Sequence, residues 1–505
     1  MLCSQLQESC PQLTRIGPDR VITAITDDSR LVQPGWLFVA RPGWQQDGSH
    51  FIHDALARGA VAILQATDAS WPALDPSITR LLHPQPRWAL GVLAALLAGS
   101  PGAGLRTMAV TGTNGKTTTT FMLASILRQA QWPCGIIGTT GMIWPDGHIE
   151  HNPMTTPGAV QLQQCLSRMV DAGCQAVAME VSSHALDQQR TAGLRFDVAL
   201  FTNLTRDHLD YHGSEQAYFA AKAKLFQRNM SRRAVIYLDD PWSPALLAIC
   251  HEQQIPAFGY RVITSPIHDG RPELVDRVIT MQVTDTSWQG THALLWHQGR
   301  SWPLYLPTIG LFNVANATAA AAAALWLGLD EDTIAAGLTA ISLPPGRMQL
   351  IQAGQPFAVV VDYAHTPDAL EQLLRSTRTL IAADHRVMVV FGCGGERDHA
   401  KRPMMGRVAS QWADIVIVTD DNPRRENAAT IRQAVLQGID PREVVCYEIA
   451  DREQAITQAM TLAQPGDVVL IAGKGHERQQ VSQAGSVPFD DVQVATAVIT
   501  KHQGR

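Results

Sequence analysis

Residues 107–130 read TMAVTGTNGKTTTTFMLASILRQA, and the fold is decided here. Thr107 to Val110 form a short apolar strand, Gly112 and Gly115 punctuate a loop, and a helix-like run follows from Lys116 and Thr117. A strand, a glycine loop and a helix opening at Lys-Thr gather backbone N–H groups and the positive end of a helix around a phosphate. In such a loop Lys116 reaches the β- and γ-phosphates of a nucleotide and Thr117 ligates its magnesium. A chance glycine turn before a helix is the plain alternative, and the strand and helix on either side speak against it. The loop predicts an α/β domain that binds ATP.

Outward from the loop, 505 residues exceed what one hydrophobic core organises, which predicts two to four domains. Lysine and arginine number 40 against 46 acidic residues, a formal charge of -6. That balance excludes a broad nucleic-acid surface, so anions must be bound locally. The eight cysteines, Cys3, Cys10, Cys134, Cys165, Cys174, Cys250, Cys393 and Cys446, show no Cys-x-x-Cys and read as reduced thiols of a cytoplasmic protein. The start, MLCSQLQESCPQLTR, lacks the pattern of a secretory signal. Ala89 to Ala98 and Ala317 to Leu329 are too short to span a bilayer and read as buried helices.

Between residues 20 and 100, VITAI, GWLFVA, a helix from Phe51 and AVAIL suggest a small α/β domain. Pro and Gly cluster in SPGAG at 100–104, and a second break falls at Leu343-Pro344-Pro345-Gly346. Three units follow: 1–101, 102–343 and 344–505. In the last, the apolar runs FAVVV, RVMVVF, DIVIVT and DVVLIA are separated by helical segments, the mark of a parallel, Rossmann-like sheet covered on both faces. Each run leads into a polar segment: DYAHTPD, GCGGERD, DDNPRREN and GKGHE. Ligands in such sheets bind beyond the carboxyl ends of the strands, so these four segments should meet around one site.

The central unit carries three further polar segments at the ends of apolar runs: AVAMEVSSHAL with Glu180, DVALFTNLTRDHLDYHG with His208, and AYFAAKAKLF with Lys222 and Lys224. Taken singly, a strand-end glutamate is usually solvated and a loop histidine is usually a surface residue. Their order behind a loop with Thr111 in place of the general P-loop glycine resembles the Mur ligases, relatives of the folylpolyglutamate synthetases. The resemblance covers about residues 20–495. It implies a UDP-precursor-binding first domain, a central P-loop ATP domain and a Rossmann-like amino-acid-binding last domain. It also implies catalytic roles for Lys116, Glu180, His208 and Lys222, with Thr117, Glu180, His208 and Lys222 around magnesium. Lys222, in Tyr218-x-x-Ala-Lys, matches the lysine that the family carbamylates with CO2 to N6-carboxylysine, which turns an ammonium into an anionic oxygen donor. A phosphate-neutralising or surface lysine is the other reading of Lys222, and Lys224 competes for the position.

For ATP the resemblance implies Gly112, Thr113, Asn114, Gly115, Lys116, Thr117 and Thr118, Asn313 near adenine in Gly310-x-x-Asn313-x-x-Asn316, and Arg347 from the last domain. Helix capping is the competing role for Asn313. Gln349 stands where the family usually has glutamate. For the UDP-sugar peptide it implies Ser29, Gln45, Thr155, Thr156, Ser182, Gln188 and Arg190, while Trp44, Gln46 and Met154 depart from the pattern. Asp421-Asn422-Pro423-Arg424 resembles the signature of members that add meso-diaminopimelate. An arginine fork binds that amino acid's second carboxylate, which lysine lacks. Arg397, Gly473 and Glu477 match the positions around it. The implied activity is ATP-dependent, ADP-forming addition of meso-diaminopimelate to UDP-N-acetylmuramoyl-L-alanyl-D-glutamate through an acyl phosphate, in peptidoglycan synthesis. The expected partners are these small molecules, with no nucleic acid and no membrane insertion, and the expected state is a monomer. The alternatives are a related ligase with another acceptor or amino acid, and a P-loop NTPase.

Overall fold

The structure, a computed structural model, describes residues 1–43, 47–69, 74–265 and 277–503. Three separate larger sheets follow one another along the chain. The first has, among the described residues, five strands in the spatial order Thr14–Ile16, Thr79–Leu82, Ala62–Gln65, Trp36–Val39, Ala24–Thr26, parallel except at the first pairing. The helix Pro86–Leu97, started by a proline whose missing N–H costs nothing there, packs Ala89, Leu90 and Leu93 on this sheet. Ala159 of the next unit joins the same cluster, so the first sheet leans on the second. The expected linker is a tight turn, Pro101–Gly104, with Pro101 buried.

In the central sheet Arg106–Thr111 lies between Ala176–Glu180 and Val198–Phe201, all parallel. The sheet continues past Ala176–Glu180 through Cys134–Gly138 to the short strands Gly141–Ile143 and Ile149–Glu150. On the other side it runs through Ala234–Tyr237 and Ala257–Ile263 to an antiparallel ribbon, Arg277–Ser287, Gly290–His297 and Arg300–Leu306. One face is covered by the helices Lys116–Gln129 and Leu311–Trp326. Ala317 and Ala319 to Ala324 of the second helix are fully buried, and such small side chains let the helices approach closely. Leu162, Phe196, Phe201 and Phe226 fill the other face. Each large apolar side chain buried this way contributes about 1.5–3 kcal/mol.

The last sheet has the order Gln349–Ile351, Ala358–Asp362, Val468–Ala472, Val387–Phe391, Ile415–Val418, Val445–Glu448, parallel except at the first pairing. Helices Pro367–Arg378, Lys401–Trp412 and Ala428–Leu436 cover one face, and Arg452–Leu462 and Asp491–Gln503 the other. The four expected strands are all present. The edge strands Gln349–Ile351 and Val445–Glu448 were not expected, because neither carries a continuous apolar run. The eight cysteines are free thiols. No described helix is long and apolar enough to cross a membrane.

Candidate active site

The glycine loop is fixed from behind by the segment that follows Val198–Phe201. Thr113 N donates to Asn203 O (2.9 Å), Asn114 N to Asn203 Oδ1 (2.9 Å), and Thr202 Oγ1 to Asn114 O (2.6 Å). Gly115, at φ +87°, caps the helix Lys116–Gln129, and any side chain there would collide with the Asn316 amide. Lys116 folds over its own loop, its Nζ donating to Gly112 O and Thr113 O, both at 2.9 Å.

Lys222 reaches the same carbonyl: its Nζ donates to Gly112 O at 2.7 Å from the helix Glu215–Ala223. Two amines, one buried and one partly buried, therefore share one acceptor. Burial lowers the pKa of Lys116, opposed by Glu180 and Asp207. Burial and the neighbouring Lys116 hold Lys222 well below its ordinary value. Lys224, two residues on, is half exposed and paired with Asp187 at 2.8 Å. The backbone thus separates the two candidates, Lys222 turned into the loop and Lys224 turned out.

Glu180 is not the solvated carboxylate that its strand-end position alone suggests. It is 1% exposed, with Oε1 accepting from Thr139 N (2.9 Å) and Oε2 from Thr139 Oγ1 (3.1 Å). His208 adopts φ +54° at the start of the short helix Leu209–His212 and meets the His184 ring edge-on at 4.8 Å. Burial lowers its pKa, which leaves the imidazole neutral. Hard oxygen donors suit magnesium, and two hydroxyls near the strand ends, Thr111 Oγ1 and Thr140 Oγ1, are buried without a partner. Hydroxyl and carboxylate oxygens of this kind, with those of Glu180 and Thr117, match the chemistry of such an ion, while among the described residues no group of three or more His, Cys, Asp or Glu side chains is gathered to hold one. Lys222 fits it as a carbamate and not as an amine.

Between the central and last sheets lies a cleft of about 1050 Å³ lined by Asn114, Gly115, Asn313, Arg347, Tyr363 and Asp368. Asn313 is not the helix cap, since that position is Gly310. It is buried, with Nδ2 donating to Thr308 Oγ1 and Ile309 O, both at 2.9 Å. Arg347 lies over the Tyr363 ring at 4.3 Å and donates to Thr117 Oγ1 at 3.4 Å, while its Nε has no partner. Gly346, at φ +66°, packs directly on the Gly475 backbone, where a side chain would collide. Further contacts join the two domains: Asn114 Nδ2 donates to Asp368 Oδ2 (3.1 Å) and Arg206 Nε to Asp398 Oδ2 (3.3 Å), while His365 Nε2 lies 3.9 Å from Asp207 Oδ2. The strand-end loops of the last sheet therefore face the glycine loop.

Five of the seven residues expected to hold the acceptor, Thr155, Thr156, Ser182, Gln188 and Arg190, are linked around Glu180 and Thr139. Arg190 donates to Gln188 Oε1 (3.0 and 2.7 Å) and to Thr156 O (2.9 Å), Thr156 Oγ1 donates to Glu180 O (2.9 Å), and Ser182 N donates to Thr156 Oγ1 (3.1 Å). Thr155 Oγ1 lies 3.2 Å from Thr139 Oγ1. Ser29 stands apart in the first domain, buried at the start of the short helix Ser29–Leu31. Gln45, with Trp44 and Gln46, lies outside the described residues.

The four strand-end loops of the last sheet do meet. Gly395 N donates to Asn422 O (2.9 Å), Arg424 Nη1 to Gly395 O (2.7 Å), and Asn422 Nδ2 to Glu477 Oε2 (2.7 Å). Gly473 lies beside the buried Asp421, and Tyr363 meets the His476 ring at 5.1 Å. Arg397 is exposed on the loop that carries Gly395. Sequence reasoning left four participants without roles: Asp207, His365, Asp368 and the fully buried Lys474. All four sit inside segments already singled out, Asp207 in RDH, His365 and Asp368 in DYAHTPD and Lys474 in GKGHE, which is the signal that was available.

Comparison with known proteins gives a consistent result. The model of the Mur ligase middle domain matches residues 110–324, that of the Mur ligase glutamate ligase domain 346–475, and that of the Mur ligase family catalytic domain 21–89. A UDP-N-acetylmuramoyl-L-alanyl-D-glutamate–2,6-diaminopimelate ligase from Gloeobacter violaceus is 43% identical, covering 97% of this chain and 96% of its own. A relative of the same name from Synechococcus elongatus is 42% identical, covering 96% of this chain and 95% of its own. A solved structure of a ligase of that name aligns with a TM-score of 0.67 at 35% identity, covering 96% of each chain.

Proposed function

This chain belongs to the Mur ligase family, and we propose that it joins meso-diaminopimelate to UDP-N-acetylmuramoyl-L-alanyl-D-glutamate in the cytoplasm, converting ATP to ADP and phosphate in a step of peptidoglycan synthesis. The observation that carries this reading is the convergence of Arg424, Asn422 and Glu477 in the last domain, a domain that meets the glycine-loop domain through Asn114 with Asp368 and Arg347 with Thr117. An arginine fork beside a carboxylate suits an amino-acid end that carries both a carboxylate and an ammonium. It discriminates against L-lysine, which would leave the guanidinium without its partner.

Arg190, Gln188, Thr155 and Thr156 hold the acceptor peptide with its γ-carboxylate at the γ-phosphate of ATP. The carboxylate oxygen attacks phosphorus, ADP leaves, and the amine of diaminopimelate displaces phosphate from the acyl phosphate while losing a proton. Glu180, Thr117, His208 and carbamylated Lys222 would hold magnesium, which neutralises charge on the phosphate oxygens. Lys222 suits carbamylation because burial suppresses its protonation and leaves the amine's lone pair for CO2. Lys116 follows the γ-phosphate, and Arg347 completes the cleft from the last domain. The residues otherwise act by placement: domain closure brings the amine into line. The test is ADP formation with substrates omitted in turn. The expected result is turnover only when precursor and amino acid are both present. Release of ADP that ignores both would identify an NTPase instead.

A further inference from the structure

Lys474 lies between Gly473 and Gly475, just past the strand Val468–Ala472, and its side chain is completely buried. A lysine is seldom buried without paired partners. Its Nζ has three acceptors for three protons: Gln479 O at 2.7 Å, Asn422 Oδ1 at 3.1 Å and Glu477 Oε2 at 3.3 Å. Asn422 is thereby fixed from both ends. Its Oδ1 also accepts from Val481 N at 2.9 Å, and its Nδ2 donates to Glu477 Oε2 at 2.7 Å, so a flipped amide would set donor against donor. Glu477 Oε2 receives two hydrogen bonds, while Oε1 has no protein partner among the described residues and the side chain remains 33% exposed.

We infer that Lys474 is a positioning residue for the amino-acid substrate: it locks Asn422 and Glu477 so that Glu477 Oε1 faces the far ammonium while Arg424 takes the far carboxylate. The inference rests on the reading above that these loops hold diaminopimelate. Lys474 touches no substrate in this role. It acts by sparing the substrate the cost of ordering a carboxylate that would otherwise sample several rotamers. Replacing it with methionine keeps its volume. All three acceptors lose the Lys474 ammonium, but Asn422 Oδ1 retains Val481 N and Glu477 Oε2 retains Asn422 Nδ2, so only Gln479 O is left without another donor named here.

The experiment is steady-state kinetics on the full chain for wild type, Lys474→Met, Glu477→Gln and the double variant, with each of the three substrates varied separately. In Lys474→Met the KM for meso-diaminopimelate rises about 10- to 100-fold, the scale of losing hydrogen bonds to a charged group. The KM values for ATP and the UDP-precursor stay within about twofold, and the double variant is no worse than Glu477→Gln alone, because the lysine acts through the glutamate. Lys474→Gln, which keeps one donor for Gln479 O, takes the place of Lys474→Met if that variant does not fold. An unchanged KM for meso-diaminopimelate, a parallel rise in all three KM values, or additive effects in the double variant would overturn the inference and leave the proposed activity standing. A wild type that does not consume meso-diaminopimelate removes both.

Discussion

Replacing Lys222 with alanine separates its chemistry from its packing. The side chain is buried, donates to Gly112 O at 2.7 Å and lies 4.4 Å from the Tyr218 ring centroid. Gly112 O keeps Lys116 as a donor, so the lost hydrogen bond costs about 1 kcal/mol. Three buried methylenes add about 2 kcal/mol, partly offset because two amines no longer compete for one carbonyl. A loss of about 2–3 kcal/mol leaves a protein of ordinary stability folded. Activity responds on another scale: without the carbamate oxygens kcat falls about 1000-fold, equivalent to about 4 kcal/mol of barrier. Formate or acetate, entering the vacated space as a substitute oxygen donor, restores at least about tenfold of this. Lys224→Ala loses only a half-exposed ion pair to Asp187, about 0–1 kcal/mol, and keeps its activity. The assay is ADP release with and without the small carboxylates, beside a thermal melt. Near-normal activity in Lys222→Ala, or an equal loss in Lys224→Ala, would refute the reasoning.

Arg424→Ala raises the KM for meso-diaminopimelate about 10- to 100-fold and leaves any weak turnover of L-lysine nearly unchanged, so kcat/KM for the two amino acids converges when measured side by side. Asp491→Ala strands the fully buried Arg452, whose guanidinium pairs with it at 2.7 and 2.8 Å, and lowers stability by about 3–5 kcal/mol in chemical denaturation. Arg452→Met combined with Asp491→Leu regains most of that loss, since no charge is then left unpaired.

The parts of this molecule legible in the sequence are those whose signal is local. TGTNGKTT announces its loop because glycine, lysine and the flanking strand and helix are contiguous. FAVVV, RVMVVF, DIVIVT and DVVLIA announce a parallel sheet because both faces of each strand are buried. Val445–Glu448 escaped because an edge strand carries no such run: its two end residues are exposed and its two middle residues only partly buried. The contacts of Asn114 with Asp368 and of Arg206 with Asp398 join residues 254 and 192 positions apart, where no local pattern can pair them. Lys474 sits in GKGHE without any local signal of a role, and only the fold shows that three acceptors enclose it. Lys222 and Lys224 are two candidates in the sequence, and only the fold shows Lys222 turned to Gly112 O and Lys224 paired with Asp187.

The choice of amino acid is tested most directly by offering the enzyme ATP and UDP-N-acetylmuramoyl-L-alanyl-D-glutamate with equimolar meso-diaminopimelate and L-lysine and weighing the product. The prediction is a single adduct heavier than the precursor by one diaminopimelate less one water, formed only with ATP. A lysine adduct as the main product, or ADP accumulating with no adduct at all, would contradict it.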